Sequence, residues 1–535
     1  MKIKTKILYT IIPAALMLSI AIVTLNFETT PDLSGSQTVE MLPPVRPDYS
    51  SVTIPPNIAP MNFNIELEAD KYFIRLYSDT NDKIEVISSS SIIKLPEKPW
   101  HKLLQNNKGK SLNIDIYTKT KNNNWQKYKT ITNFIAKEDV DSYLFYRTIH
   151  PSHYRLTQNG PVQIIQHNLT NSKENILITG KSYYQGCVNC HSPLNNKTDK
   201  MTIGIRSDRY GTTTLYINGD KIQNIAAKIG YNSWHPSGKI IAYSTNNIRR
   251  FFYSAKNEMR DAVDEDSMIT YYNVETHKIT MIDEISKKDK LETFPTWSTD
   301  GKYLYYCCSD KTWDNMEKIP PDGYYDLKYD LMRISYNIDK DVWGKPEIVI
   351  SASEAKKSIL MPRISPDGRW LVTCMVDNGG FPVWPTSSDL YITDLNKAEA
   401  TGIFNYEKLS LNTDLSQSWH SFSSNSRWLA YSSKQQNGLF TRIYLAYIDE
   451  NGQSQKSFIV PQKNPLRYDS TIESLSFPEL TTGPMRISAG QLAAAIRNSN
   501  QIKVDIPVTM ATPEEKSTKK LPPHQKSLTP YTEIE

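Results

Sequence analysis

One turn-and-strand unit recurs four times between residues 201 and 464, and it constrains the fold more than any other feature of the sequence. In each copy an aromatic or apolar residue precedes a tight turn, and a basic residue then leads into an alternating strand. The four copies are Trp234–Ser244, Trp297–Tyr306, Ile364–Thr373 and Phe422–Ser432. Asp-Gly and Ser-Gly pairs supply hairpin turns, and strand repeats at a regular pitch are typical of propeller blades. The sequence therefore predicts an all-β chain with a β-propeller over residues 201–470.

The copies are spaced more widely than a four-stranded blade requires. Their turns lie about 60 residues apart, whereas a usual blade takes about 40–45 residues. The excess falls in Asn246–Asp266 and Thr312–Tyr325, which we interpret as long loops. Because connecting segments often carry the functional residues of a rigid scaffold, we expect these insertions to build a site on one face of the propeller.

The remaining segments divide by composition and periodicity. Residues 58–141 contain short alternating runs separated by turn residues, which predicts a small β-sandwich. Residues 27–57 are rich in Pro, Ser and Thr and are expected to form an extended linker. Residues 142–200 are assigned to a haem-attachment segment, for the reason given below. Residues 471–535 are expected to be a C-terminal tail, partly disordered, because their distal part is polar and rich in Lys and Pro.

The haem assignment depends on the pentapeptide Cys187-Val-Asn-Cys190-His191, which has the spacing of a c-type haem attachment site. Two thiols separated by two residues can each form a thioether to one vinyl group of the porphyrin. The adjacent imidazole then serves as the proximal ligand of the iron. The sequence holds no second copy of this motif, so it predicts one covalent haem c, bound by Cys187 and Cys190 with His191 on the iron.

Three other interpretations of the two thiols remain open: a thioredoxin-like redox pair, half of a zinc site, or two unrelated cysteines. A redox pair of that kind would need a βαβ context, which the surrounding sequence lacks. A zinc site would need a second pair at suitable spacing, but Cys307 and Cys308 are adjacent. Together with Cys374, they are more simply small buried core residues.

The N-terminus predicts export, which covalent haem attachment requires. Three lysines in the first six residues precede an uncharged, mostly apolar run from Ile7 to Leu25. Such a run can span a bilayer with its lysines on the cytoplasmic side. Alternatively, Ser19 and Ala21 are the small residues of a cleaved signal peptide. Residues 1–26 are therefore expected to be a signal anchor or a signal peptide that places the rest of the chain on the periplasmic side of a bacterial inner membrane.

The charge distribution excludes few classes of binding partner. A net charge of +5 over 535 residues is mild and selects no acidic partner. No basic cluster interleaved with aromatic residues is visible, so nucleic acid is not expected as a ligand. The expected partner is a periplasmic redox or binding protein, met by a membrane-tethered chain.

The repeat residues resemble the TolB-type propeller repeat, whose hallmark is Ser-Pro-Asp-Gly-Lys/Arg before a strand. Ile364–Thr373 matches it almost fully, and the other copies vary at one or more hallmark positions. The order of Cys187–His191, the first repeat copy, Thr293–Trp297 and Trp419–Trp428 resembles a family of exported bacterial propeller proteins with a c-type haem motif, often labelled as cytochrome c biosynthesis proteins. The resemblance covers about residues 40–480. It implies an architecture and a haem more than a particular reaction.

The sixth ligand of the iron has several candidates. Members of that family often carry a histidine shortly after the haem motif, but this sequence reads Met-Thr-Ile-Gly from Met201. Met201 could ligate in its place, or it could be a core methionine. His235 departs from the Ser of its own repeat, yet it could equally be a turn histidine that bonds to the backbone. His150 and His153 precede the motif in a probable loop, where exposed, non-ligating histidines are equally ordinary.

Three functions follow from these expectations. The first is a mono-haem c-type cytochrome that passes single electrons to or from a periplasmic partner. The second is a binding or scaffold propeller whose haem is structural or sensory. The third is a haem enzyme such as a peroxidase, which would need an open distal site with an acid–base residue. No residue is singled out as catalytic.

Overall fold

A computed structural model describes residues 30–121, 124–150, 162–183, 186–207, 209–252, 260–314, 316–498 and 500–505. Within these ranges the chain is mostly β-strand, as expected for an all-β protein. None of the helices found there is both long and apolar enough to cross a membrane. The expected signal anchor, residues 1–26, lies outside the described residues.

The described residues of the N-terminal part contain ten short strands. They are β1 (Gln37–Val39), β2 (Val45–Arg46), β3 (Thr53–Ile54), β4 (Phe63–Ile65), β5 (Lys71–Tyr77), β6 (Lys83–Ser88), β7 (Ile92–Ile93), β8 (Ser111–Lys119), β9 (Gln126–Tyr128) and β10 (Ile131–Ile135). One seven-stranded sheet has the order β1-β9-β8-β10-β3, with β5 on β8 and β6 on β5. A second sheet has the order β2-β4-β7.

The first three strands fall inside the segment that the sequence suggested was an extended linker, residues 27–57. Strands β1 and β3 add to the large sheet in parallel, and the side chains of Tyr49, Val52 and Ile54 are buried. Strands of two or three residues between prolines are too short to show an alternating pattern, and that is why this part was missed. The N-terminal unit therefore begins well before residue 58.

Six four-stranded sheets follow, arranged as the blades of a β-propeller. Three strands, β11 (Tyr143–Ile149), β12 (Gln163–Asn168) and β13 (Lys173–Thr179), belong to the blade that closes the ring. The strands of the other five blades, four to a blade in chain order, are β14 (Cys187–Leu194), β15 (Lys197–Ser207), β16 (Gly211–Asn218), β17 (Lys221–Ile225), β18 (Tyr231–Trp234), β19 (Ile240–Phe252), β20 (Arg260–Asn273), β21 (Lys278–Met281), β22 (Lys290–Trp297), β23 (Tyr303–Asp310), β24 (Asp330–Asn337), β25 (Val342–Ile350), β26 (Ser358–Ile364), β27 (Trp370–Val376), β28 (Asp389–Asp394), β29 (Glu407–Lys408), β30 (Gln417–Phe422), β31 (Trp428–Ser433), β32 (Arg442–Tyr447) and β33 (Phe458–Ile459).

The ring is closed by strand β34 (Ser474–Thr481), which pairs antiparallel with β11 and forms the innermost strand of the closing blade. The innermost strands β14, β18, β22, β26, β30 and β34 contact one another in cyclic order. This arrangement differs from the expected division of the chain. Residues 142–200 are not a separate haem segment, because they supply blade strands, and the propeller extends to Thr481 rather than ending at residue 470.

The helices in the described residues are short. They are α1 (Glu97–Asn106), α2 (Ala352–Ala355), α3 (Leu395–Thr401), α4 (Arg467–Ser470) and α5 (Ala489–Asn498), with 3₁₀ turns at Gly180–Tyr183 and Tyr324–Asp326. Helix α1 fills the core of the N-terminal unit with Trp100, Leu103 and Leu104. Helix α5 lies in the segment expected to be a tail, and it packs Leu492 and Ile496 into the apolar core of the first blade.

The predicted turns are the hairpins that join the first and second strands of blades two to five. Gly238, Gly301 and Gly368 have φ of +70°, +74° and +78°, and Ser426 takes the same position with φ of +64°. Glycine is favoured there because left-handed backbone crowds a Cβ atom. Two blades escaped detection. The first turns through Asn195 instead, and the closing blade is divided between distant parts of the sequence.

The described parts of the insertion, residues 246–252 and 260–266, do not form a loop. Strands β19 and β20 continue their antiparallel pairing outward to Phe252 and Arg260, so the insertion is a long β-ribbon. The other insertion carries Tyr324, whose ring meets Phe251 of the ribbon edge-to-face at 5.2 Å. The ribbon carries Arg249 and Arg250 over one end of the propeller axis, where they line a cavity. The expectation that insertions build a site on one face therefore describes this ribbon.

Candidate functional site

A cavity of about 780 Å³ lies at that end of the axis, beside the haem-like motif. Cys187, Asn189 and Cys190 line it from β14, His150 lines it from the end of β11, and the ribbon covers it. Cofactor and ligand sites are commonly about 300–1,000 Å³ in volume. The cavity is therefore large enough for an organic cofactor.

A β-bulge brings both thiols to this cavity. Side chains three residues apart point to opposite faces of a regular strand, so Cys187 and Cys190 would normally be separated. Cys190 has φ of +50°, and the register with β15 shifts between Asn189 and His191. The extra residue changes the alternation. As a result Cys187 and Cys190 share the cavity, while Val188 packs into the blade core.

The bulge also sends His191 elsewhere. Its imidazole is 2% exposed and lines a smaller cavity of about 40 Å³ on the propeller axis. Neither ring nitrogen has a hydrogen bond of ordinary geometry. Burial lowers the pKa of His191 to about 4, and the Arg147 guanidinium adds to this effect. The imidazole is therefore neutral at pH 7, which is the form that ligates a metal.

The motif is also part of the blade repeat. Left-handed residues recur at the same point of five innermost strands, namely Cys190, Phe294, Met361, Trp419 and Phe477, with φ between +44° and +57°. The matching tetrapeptides of all six blades are Cys190–Pro193, Tyr231–Trp234, Phe294–Trp297, Met361–Ile364, Trp419–Phe422 and Phe477–Leu480. Cys190 and His191 thus correspond to Trp419 and His420. This tetrapeptide repeat is present in the sequence, but it was missed because Cys190 and His191 were interpreted as part of a haem motif.

Arg147 fixes the middle of the motif and was not identified from the sequence. Its guanidinium donates to Asn189 Oδ1 and, at 3.2 Å, to Ser476 Oγ, and it lies 4.5 Å from the centre of the Phe477 ring. Burial raises the pKa of the Cys190 thiol, while the Arg206 and Arg147 charges counteract part of that shift. A single arginine in a strand run gives no local signal of this role, because its partners come from two other strands.

Two sixth-ligand candidates are placed away from the cavity. Met201 is fully buried in the apolar core of the first blade, which corresponds to the core-methionine interpretation. His235 lies in its hairpin turn, where Nε2 donates to the Gly301 carbonyl at 3.2 Å and Nδ1 accepts from Ser237 Oγ at 2.8 Å. That is the backbone-bonded turn histidine considered above. Neither residue lines the cavity that holds the thiols.

His150 is the candidate that the fold brings to the thiols. It lines the same cavity as Cys187 and Cys190. His153 lies outside the described residues. Among the sixth-ligand candidates that the structure describes, His150 alone shares the cavity with the two cysteines.

The donor set suits a covalently attached haem better than a zinc ion. Two thiols face one cavity, and an imidazole whose nitrogens have no hydrogen bond of ordinary geometry lies one residue away in an adjoining cavity. The two cavities share Cys190, Tyr231, Trp419 and Phe477 as lining residues. For His191 to bind the iron, its imidazole would have to turn from the axis toward the larger cavity. Over the described ranges, no group of three or more His, Cys, Asp or Glu side chains is placed to hold a metal ion by itself.

His420, on the propeller axis, makes the free energy of unfolding depend on pH. It is buried beside His191, its Nε2 donates to the Val372 carbonyl at 3.0 Å, and burial lowers its pKa to about 3. The unfolded chain binds this proton near pH 6.5, so the stabilisation is complete above that pH and declines as the pH falls toward 3.

We therefore expect wild type to lose about 2 kcal/mol more unfolding free energy between pH 7 and pH 5 than His420→Gln does. Urea unfolding of both proteins at the two pH values measures the difference. An equal loss in wild type and variant would show that folding does not lower the pKa of His420.

Comparison with known proteins adds little to this geometry. No protein family and no curated protein matches the sequence. The similar solved structures include a prolyl endopeptidase (11% identity, TM-score 0.34, covering 59% of this chain and 42% of that one). A puromycin hydrolase (10%, 0.34, 59% and 45%) and a GH74 enzyme of Niastella koreensis (12%, 0.36, 58% and 44%) are similar to the same extent. This chain therefore spans less than half the length of each, and the values are too low to assign a family or an activity.

Proposed function

We propose that the chain is an exported c-type cytochrome built on a TolB-like propeller. Cys187 and Cys190 would hold one haem covalently, and His191 would be its proximal ligand. The observation that carries the proposal is the bulge at Cys190, which turns both thiols of the attachment motif into one cavity of cofactor size. A haem bound there would supply one-electron redox chemistry.

The lining of the cavity supports this assignment. Aromatic side chains of Tyr231, Phe251, Trp384, Trp419 and Phe477 contribute to its walls. Flat aromatic surfaces suit a flat, largely apolar group. By limiting the access of water, they would also influence the reduction potential of a haem bound there. His150, on the same cavity, is our proposed sixth ligand. With both axial positions filled, the chain would carry electrons rather than activate a small molecule at the iron.

The location follows from the chemistry and the N-terminal sequence. Haem c is attached outside the cytoplasm, and residues 1–26 have the composition of a signal anchor. We therefore propose that the propeller lies on the periplasmic side of the inner membrane. Its partner there would be a periplasmic redox protein that approaches the cavity end of the axis.

A binding or scaffold propeller is the second candidate, favoured by a separate observation. His191 occupies an ordinary repeat position and faces the axis, as His420 does in the fifth blade. In this case the motif would be a blade sequence that happens to contain two cysteines, or the haem would be structural. The propeller would then act through what it binds.

The test is an optical spectrum of the full chain, expressed in a bacterial host with a c-haem attachment system and purified in mild detergent. We expect a pyridine haemochrome band of the c type, colour that stays with the chain after denaturation, and a reversible one-electron titration. A six-coordinate ferric spectrum would support His150 or another protein ligand. Folded protein without covalent haem would refute the cytochrome proposal and leave the binding propeller.

A further inference from the structure

The same cavity has a strong excess of positive charge. One of its described lining residues, Asp261, is acidic, whereas seven are lysine or arginine. The seven are Arg147, Arg206, Lys228, Arg249, Arg250, Arg260 and Lys434. They come from the closing, first and fifth blades, from the connection between the first and second blades, and from the ribbon. A net charge of +5 over the whole chain gives no indication of this concentration.

Three of these cations lie close to the thiols and to one another. Burial lowers the pKa of Arg147 and Arg250, and like-charge repulsion contributes, from Arg250 on Arg147 and from Arg206 on Arg250. Cys187 and Cys190 lie within range of the same charges. Confined charges of one sign raise the local potential, and a lining with low dielectric strengthens the effect.

At least two of these cations, Arg147 and Arg206, form no ion pair with a carboxylate of the described chain. Arg249 forms an ion pair with Glu265 at 2.8 Å. Arg147 donates to two neutral side chains, those of Asn189 and Ser476. The Arg206 side chain is exposed to the cavity and, as far as the described chain extends, its guanidinium has no hydrogen bond or ion pair. The lining therefore has positive charge available to bind an anion. Guanidinium groups bind carboxylate and phosphate groups through bidentate hydrogen bonds.

We propose that this cavity is a polyanion-binding site, for a molecule that carries two or more carboxylate or phosphate groups on a flat apolar body. The cations would bind the charged groups, and the aromatic walls would pack against the body. Two kinds of molecule could supply these anionic groups. One is the pair of carboxylates on a bound haem, and the other is a separate soluble polyanion. The site does not depend on the proposed cytochrome function, because its residues are present with or without haem.

Calorimetric titration with benzene-1,3,5-tricarboxylate tests the proposal, with benzamidinium as a cationic aromatic control. It is run on the haem-free variant Cys187→Ser with Cys190→Ser and on the haem-loaded wild type. We expect the tricarboxylate, and not the cation, to bind the haem-free chain. Arg206→Gln should weaken that binding at least fivefold, whereas Arg486→Gln, at an exposed arginine that does not line the cavity, should leave it unchanged.

The two proteins distinguish the sources of the anion. Binding to both would indicate a separate soluble ligand, and binding to the haem-free chain alone would assign the cations to the carboxylates of the haem. No binding to either protein, or equal weakening by Arg206→Gln and Arg486→Gln, would overturn the proposal. If the haem-free variant does not fold, the loaded protein carries the test. Arg206→Gln must then weaken tricarboxylate binding or lower the reduction potential of the haem. If Arg206→Gln changes neither the binding nor the potential, the proposal is also overturned.

Discussion

Cells that export the Cys187→Ala, Cys190→Ala double variant should yield folded chain with no covalent haem, whereas wild type should carry one haem per chain. Each thioether needs its own thiol, and both thiols face one cavity. Both cysteines are only partly buried, so removing their sulfur atoms leaves no large hole in the core. The pyridine haemochrome of equal amounts of protein measures the difference.

The matched control is Cys308→Ala. This thiol is also partly buried, but it lies on β23, outside the cavity lining. It should keep the full haem content of wild type. Covalent haem on the double variant, or its loss in Cys308→Ala, would contradict the assignment of the two attachment residues. Far-ultraviolet circular dichroism of each variant shows whether the β-structure is intact.

Replacing Arg442 with methionine should lower the free energy of unfolding by about 3–5 kcal/mol. The Arg442 side chain is fully buried, and it donates to Gln436 Oε1 and to several backbone carbonyls. Those carbonyls belong to Thr441, Tyr468, Thr471 and Glu473. Methionine fills similar space but donates no hydrogen bond, so buried carbonyl groups would be left without partners.

The position of Arg442 explains why the effect should be large. Three of these carbonyls, those of Tyr468, Thr471 and Glu473, belong to the segment that leads directly into β34, the strand that closes the ring. Urea unfolding followed by tryptophan fluorescence measures the loss. Arg486→Met, at an exposed position, is the control and should change stability by less than about 0.5 kcal/mol. A loss below about 1 kcal/mol in Arg442→Met would show that water or other donors replace the guanidinium.

Much of the propeller could be predicted because its signals are local. The turn glycines at 238, 301 and 368 report left-handed backbone wherever they occur, and alternation beyond each turn reports a strand with one buried face. The blade formed by β34 and β11 gave no such signal, because its strands are more than 300 residues apart in the sequence. Its hydrogen bonds exist only after the ring has closed.

The candidate site shows the same division. The sequence by itself determined that two thiols and an imidazole lie within five residues, and its four repeat copies predicted a propeller. Tertiary structure decided which side chains share a cavity. The bulge at Cys190 joined the two thiols and sent His191 to the axis, and the pairing of distant strands brought Arg147, Arg206 and Arg250 to the thiols. Spacing along a chain is a local property, whereas the direction of a side chain depends on strand register, and register is set by partners far away in the sequence.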